Sequence, residues 1–188
     1  LGTDLELLEA WRAGDKVAGD ALVSRYWEPV ARFFRHKLGD DGVELISQTF
    51  LACVETAAPI EHLRAFLFTV ARRRLADHLR VRARRPALDF AVSSLADLGT
   101  GLETALGRKQ RAALLQRALQ RIPLDDQVAL ELAYVEGLST RELAAVLEIN
   151  ENTVRSRLAR AREKLRGVLA GMGTAVEVEE AEAALRGG

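Results

Sequence analysis

A chain of 188 residues has room for one compact domain or two small ones, and 48% apolar residues with only 5% aromatics suits small helical cores. Its 27 Lys and Arg balance its 27 Asp and Glu, so no uniformly basic surface is implied. A single cysteine excludes an internal disulfide framework. No apolar run reaches the roughly 18 residues of a membrane span and nothing resembles a signal peptide, so no direct membrane insertion is expected and the cytoplasm is the expected compartment.

The balanced total hides a segregated charge. Residues 1–60 carry 6 basic and 10 acidic side chains, 61–85 carry 8 and 2, 86–107 carry 0 and 3, 108–170 carry 12 and 8, and 171–188 carry 1 and 4. Two basic segments are thus separated and flanked by acidic ones, an arrangement that can steer a polyanion onto chosen faces.

In chain order, Asp4 is expected to cap a short helix carrying Leu5, Leu8 and Trp11 that ends near Gly14-Asp15. Ala18, Leu22, Tyr26, Val30 and Phe33 recur at spacings of three and four and mark one buried stripe. Gly39-Asp-Asp-Gly42 reads as a turn rather than a metal pair. Leu45, Ile46, Phe50 and Val54 form the next apolar face, with Cys53 as a buried thiol. Beyond Pro59, Leu63, Phe66, Leu67, Val70, Leu75 and Leu79 carry a long helix, and four packed helices make a domain over 1–85. That last helix and its end bear Arg64, Arg72, Arg73, Arg74, Arg80, Arg82, Arg84 and Arg85, with no Lys. Guanidinium groups fork onto phosphates and stack on bases, whereas a surface pair between Asp77 and Arg73, Arg74 or Arg80 adds little stability.

Residues 86–107 lose both periodicity and positive charge and read as a flexible linker, in which Leu88, Phe90 and Leu95 are available to dock on a partner. Helical periodicity returns over 108–170, with Leu114, Leu115, Ala118 and Leu119 on one face and Val128, Leu130, Leu132 and Ala133 in the next helix. Residues 171–188 form an acidic tail. Its Glu177, Glu179, Glu180 and Glu182 could screen a basic face, and Val176, Val178 and Leu185 could add a small apolar contact.

Within the second domain, Leu138 to Leu158 reads as a helix-turn-helix. Ser139 with Glu142 three residues later forms a capping box, and Leu143, Ala144 and Leu147 face inward. Asn150 caps the second helix, whose inward positions are Val154, Leu158, Ala161 and Leu165. The other side presents Glu151, Asn152, Arg155, Ser156 and Arg160, with Arg157 beside them, which suits a DNA major groove. Arg155 and Ser156 are placed nearest base edges, and Arg157, Arg160 and Lys164 at phosphates. Two DNA-facing modules on one chain suit a bipartite site, the tether raising the effective concentration of the second contact.

Read together, these segments resemble the group 4, or extracytoplasmic-function, bacterial sigma factors. Gly14-Asp15 with Ala18, Leu22 and Tyr26, then Glu44-Leu-Ile-Ser-Gln48-Thr-Phe50-Leu, then Phe66 through Arg80 are similar to region 2 of that family. Ile122-Pro123, Tyr134-Val-Glu136-Gly137-Leu-Ser139, Glu142-Leu-Ala144 and Thr153 through Arg162 follow region 4. The likeness covers about residues 4–168.

The resemblance implies an all-α chain of two small helical domains that binds core RNA polymerase and promoter DNA and assists melting of the −10 element. It places Glu44, Leu45, Gln48 and Phe50 at or beneath the polymerase-docking surface, with Leu45 and Phe50 themselves core residues. It places Thr56 to His62 at a flipped −10 base, and His62, Arg72, Arg73, Asp77 and Arg80 along the −10 DNA. Asn152, Thr153, Arg155, Ser156, Arg157, Arg160 and Lys164 fall on the −35 DNA. Control by an anti-sigma protein is implied as well. Phe66 in place of Trp, Arg73 in place of Asn, Glu148 and Asn152 in place of Gly, and the acidic Asp125-Asp126 depart from the family pattern and bear on promoter choice.

Two other readings differ in what they require. A stand-alone helix-turn-helix regulator needs a dimerisation element and leaves 41–55 unexplained. A sigma-like adaptor that binds protein but not promoter would tolerate loss of Arg155 and Arg160. With His36, His62 and His78 as the only histidines and no phosphate-cradling glycine loop, no enzyme site, metal or nucleotide cofactor is implied.

Overall fold

The computed structural model describes residues 2–84 and 112–172, and the chain divides into two compact units, 1–92 and 93–188. The expected linker over 86–107 with its Leu88, Phe90 and Leu95, and the tail from 173 to 188, lie outside the described residues.

The first unit contains α1 (Asp4–Arg12), α2 (Lys16–Leu38), α3 (Val43–Glu55) and α4 (Leu63–Ala83). Thr3, not Asp4, caps α1: its hydroxyl accepts from the Glu6 N–H at 3.3 Å, while the Glu6 carboxylate accepts from the Thr3 N–H at 2.7 Å. Thr-x-x-Glu is the reciprocal capping pattern, so the helix starts one residue earlier than Asp4 as a cap would place it. Asp4 instead accepts from Arg25 and from the Tyr26 hydroxyl, pinning α1 along α2. Asp15 caps α2 through the N–H groups of Val17 and Ala18.

The periodic stripe of α2 is buried as expected, and Gly39–Gly42 forms a single 3₁₀ turn into α3. Gly42 is there because a Cβ would come within 2.8 Å of the Phe34 Cβ. On α4 the buried line runs through Leu63, Leu67, Phe68, Ala71 and Leu75, while Phe66, Val70 and Leu79 are only half-buried. The correction arises because Phe66 to Phe68 are apolar on every side, so spacing alone leaves the inward phase open. Phe33 of α2 meets Phe68 edge to face at 5.9 Å, and this contact joins the two helices in the core.

The second unit contains α5 (112–119), α6 (Leu124–Leu130), a π turn (Glu131–Val135), α7 (Thr140–Leu147) and α8 (Glu151–Ala170). Its core collects Leu114, Ala118 and Leu119 of α5, Leu130 of α6, and Ala161 and Leu165 of α8. The π turn closes with the Leu138 N–H donating to the Leu132 carbonyl at 2.9 Å, and Gly137 takes φ 63, a left-handed conformation that glycine adopts freely. That turn delivers Ser139 to the start of α7.

Candidate nucleic-acid and polymerase interfaces

The turn between α7 and α8 is assembled from local caps. Ser139 Oγ accepts from the Glu142 N–H at 3.2 Å, and Glu142 Oε2 accepts from the Ser139 N–H at 2.8 Å. Glu148 ends α7 in the left-handed region, at φ 58 and ψ 41. Asn150 then caps α8, its Oδ1 accepting from both the N–H and the hydroxyl of Thr153 at 2.8 and 2.9 Å. Leu143, Val146 and Leu147 of α7 and Val154 of α8 are buried, with Ala144 and Leu158 half-buried, while Ala161 of α8 lies in the core with α5 and α6.

The outer side of α8 exposes Glu151, Asn152, Arg155, Ser156 and Arg160. Arg155 donates from Nη1 to Asn152 Oδ1 at 3.3 Å, and Arg160 donates from Nε to the Ser156 carbonyl at 3.3 Å. Both guanidinium groups are therefore held along their own helix with further donors directed outward, ready for the paired acceptors of a guanine edge or a phosphate. Thr153 is half-buried and engaged with its cap. Arg157 and Lys164 point elsewhere: Arg157 Nη1 lies 3.5 Å from Asp125 Oδ2, and Lys164 Nζ lies 2.5 Å from Asp126 Oδ2.

In the first unit, α4 carries exposed Arg73, Arg74, Arg80 and Arg84, with Arg72 half-buried. Asp77 accepts from Arg80 at 2.6 Å, one of the three pairings its position allowed. Arg82 donates to Asp41 at 3.2 Å, which ties the end of α4 to the turn before α3. His62 is exposed immediately before α4 and makes no side-chain cap. The segment 56–62, in which the Ala58 N–H donates to Thr56 Oγ1 at 3.3 Å, leads into it.

On α3, Glu44 is exposed and accepts from half-buried Gln48 at 2.9 Å. Leu45 and Phe50 are buried, and Phe50 stacks on Trp27 of α2 with ring centres 6.4 Å apart. Val43 and Leu51 are large apolar residues left more than half exposed on the same helix, at 59% and 53%. Among the described residues no group of three or more His, Cys, Asp or Glu could hold a metal ion, and no helix is long and apolar enough to cross a membrane.

Residues 112–165 match the family model for sigma-70, region 4. The chain is 29% identical over 182 residues to the ECF RNA polymerase sigma factor SigM of Mycobacterium tuberculosis (strain ATCC 25618 / H37Rv), covering 94% of this chain and 89% of that relative. Residues 112–165 thus carry a sigma-70 region 4, and over most of its length the chain is similar to extracytoplasmic-function sigma factors. The fold of CnrH in its complex with the cytosolic domain of CnrY is similar at TM-score 0.68 and 23% identity, covering 90% of this chain and 99% of that one. The sigma factor RpoE of Bartonella quintana, in a complex with the anti-sigma factor NepR, is similar at TM-score 0.61 and 19% identity, covering 82% and 98%.

In this sigma factor the structure brings Asn152, Arg155, Ser156 and Arg160 onto one exposed arc of α8, and engages Arg157 and Lys164 at its margin with Asp125 and Asp126. Sequence reasoning registered Asp125 and Asp126 only as unusual acidity. The available signal was the spacing of seven between Arg157 and Lys164, which puts two cations on one side of a helix with an acidic pair elsewhere in the same small domain. It also passed over Val43 and Leu51, because an exposed apolar residue and a buried one look alike in a row of letters.

Proposed function

We propose that this sigma factor directs core RNA polymerase to specific promoters through two separate surfaces of its own and has no catalytic chemistry. The observation that carries the assignment of surfaces is the capped helix-turn-helix, whose α8 buries Val154 and Ala161 and exposes Arg155 and Arg160. Helix α8 reads the −35 duplex, with Arg155 and Ser156 at base edges and Asn152 and Arg160 beside them. Thr153 serves the same surface through its cap. The α4 face with His62, Arg72, Arg73, Asp77 and Arg80 engages the −10 element as it melts, and residues 56–62 receive an unpaired base.

The exposed Glu44, Val43 and Leu51 of α3 dock on polymerase together with half-buried Gln48, with Leu45 and Phe50 supporting them from beneath. Because promoter contact is gained mainly through polymerase, binding of DNA by the chain alone is weak and salt-dependent. The action lies with polymerase in the cytoplasm. An anti-sigma protein is the expected regulator, consistent with the complex in which the similar RpoE of Bartonella quintana was solved.

Purified full-length chain with core polymerase, offered a genomic promoter pool, is expected to select a set sharing −35 and −10 elements. Substituting Arg155→Ala should relax one −35 position by about 1–3 kcal/mol of discrimination while leaving polymerase binding intact. Initiation from no promoter in the pool would overturn the assignment.

A further inference from the structure

The recognition helix carries two classes of cation. At about 100° per residue, Arg157 and Lys164 lie about 20° apart, beside the buried Ala161 and about 180–200° around the helix from Arg155. Arg160 lies about 40–60° from them, so it is their pairing with carboxylates and not angle alone that sets them apart from Arg160. Their partners, Asp125 and Asp126, occupy the first turn of α6 (Leu124–Leu130), where negative charge also complements the helix dipole. The Asp126 side chain is only 11% exposed, and the Lys164 ammonium is 2.5 Å from it. To offer Lys164 to a phosphate would strand a nearly buried carboxylate, and an unpaired charge in such a place costs far more than an exposed pair is worth. A phosphate approaching this side of α8 also meets two carboxylates.

We propose that Asp125 and Asp126 convert the Arg157–Lys164 side of α8 from a phosphate-contacting face into a seam against α6 that fixes how α8 is presented to DNA. Asp126 and Lys164 are then positioning residues, and the DNA-facing charge of this domain is confined to the arc that carries Arg155 and Arg160. The inference rests on the reading that α8 sits on the −35 duplex. It also explains how this domain works with the acidic Asp125-Asp126 pair: the acid is neutralised internally rather than facing the polyanion.

The test uses the full chain assembled with core polymerase on a −35-bearing duplex, with binding measured across a salt series. Arg160→Ala should lower the slope of log affinity against log salt by about 0.9, the value for one lost phosphate contact. Arg157→Ala and Lys164→Ala should leave the slope unchanged. Lys164→Asp should weaken binding roughly tenfold, and the swap Asp126→Lys with Lys164→Asp should restore it to within about threefold. Lys164→Ala and Arg157→Ala each lowering the slope as Arg160→Ala does would overturn the inference. So would a swap that stays as weak as Lys164→Asp while its circular dichroism matches the parent. An unchanged slope for Arg160→Ala would instead remove the −35 reading itself, and this inference with it.

Discussion

The Arg12 guanidinium donates two hydrogen bonds, from Nε at 3.0 Å and Nη2 at 2.8 Å, to the carbonyl oxygen of Cys53, 41 residues away. Cys53 lies in the last turn of α3, where carbonyls have no partner within the helix. One side chain of α1 thereby caps α3 just before the 56–62 segment proposed to hold a promoter base. Arg12→Ala should destabilise the first domain by about 2 kcal/mol, since the bond is charge-assisted and leaves a part-buried acceptor. Arg12→Lys should recover only part of this, because an ammonium cannot reproduce the two-point fork. Denaturant unfolding of the full chain followed at the tryptophans, both of which lie in α1 and α2, measures it.

Gly19 sits inside α2 where helix propensity favours Ala by about 1 kcal/mol. A Cβ there would come within 2.6 Å of the Trp11 indole. Relieving that contact requires the half-buried Trp11 indole to move off Gly19, so Gly19→Ala is expected to destabilise by about 1–3 kcal/mol despite the better propensity. A rise in melting temperature would show that α1 shifts freely over α2.

Glu148 holds φ 58 in the turn of the helix-turn-helix. A residue with a Cβ pays about 1–2 kcal/mol in this region, and glycine pays none. Glu148→Gly should therefore stabilise the second domain by about 1 kcal/mol and raise its melting temperature without changing which promoters are selected. A loss of stability would mean that the Glu148 side chain contributes more than its backbone costs.

Burial pushes the Cys53 thiol up to about 12 from an ordinary 9.0, against the opposing pull of the Arg12 charge. The native state thus keeps a proton that the unfolded chain begins to release near pH 9.0. Its contribution to stability is complete below that pH and is lost as pH rises toward 12. Burial and the Asp4 hydrogen bond raise the Tyr26 phenol in the same sense, but from an ordinary 10.0. Between these two starting points the urea midpoint of the parent should fall with pH more steeply than that of Cys53→Ala. Parallel profiles would show that the thiol is solvated. The native thiol should also resist alkylation at neutral pH, since little thiolate is present.

The helices and their punctuation were legible in the linear chain because they depend on neighbours three and four residues apart. Ser139 with Glu142, and Asn150 with Thr153, each complete a bond inside one turn, so the position of the recognition helix follows from local chemistry. The order of apolar stripes likewise sufficed for two helical domains, while the likeness to the family came from the ordered motifs of Glu44 to Phe50, Phe66 to Arg80 and Thr153 to Arg162. Where every residue is apolar, as at Phe66 to Phe68, local spacing had no means of choosing; at the start of α1 the Thr3-x-x-Glu6 pattern did mark the cap, and Asp4 was read in its place.

Only the tertiary structure sorted the charges. Arg155, Arg157, Arg160 and Lys164 are equivalent as letters on a basic helix, yet Lys164 faces a carboxylate 38 residues earlier in the chain while Arg155 and Arg160 stay on the open side. The reason is that a side chain's electrostatic partner is set by which helix packs against which, a long-range relation that no local periodicity records. The chain itself determined that a capped basic helix follows the turn; packing against α6 decided which of its cations are paired with carboxylates and which stay open.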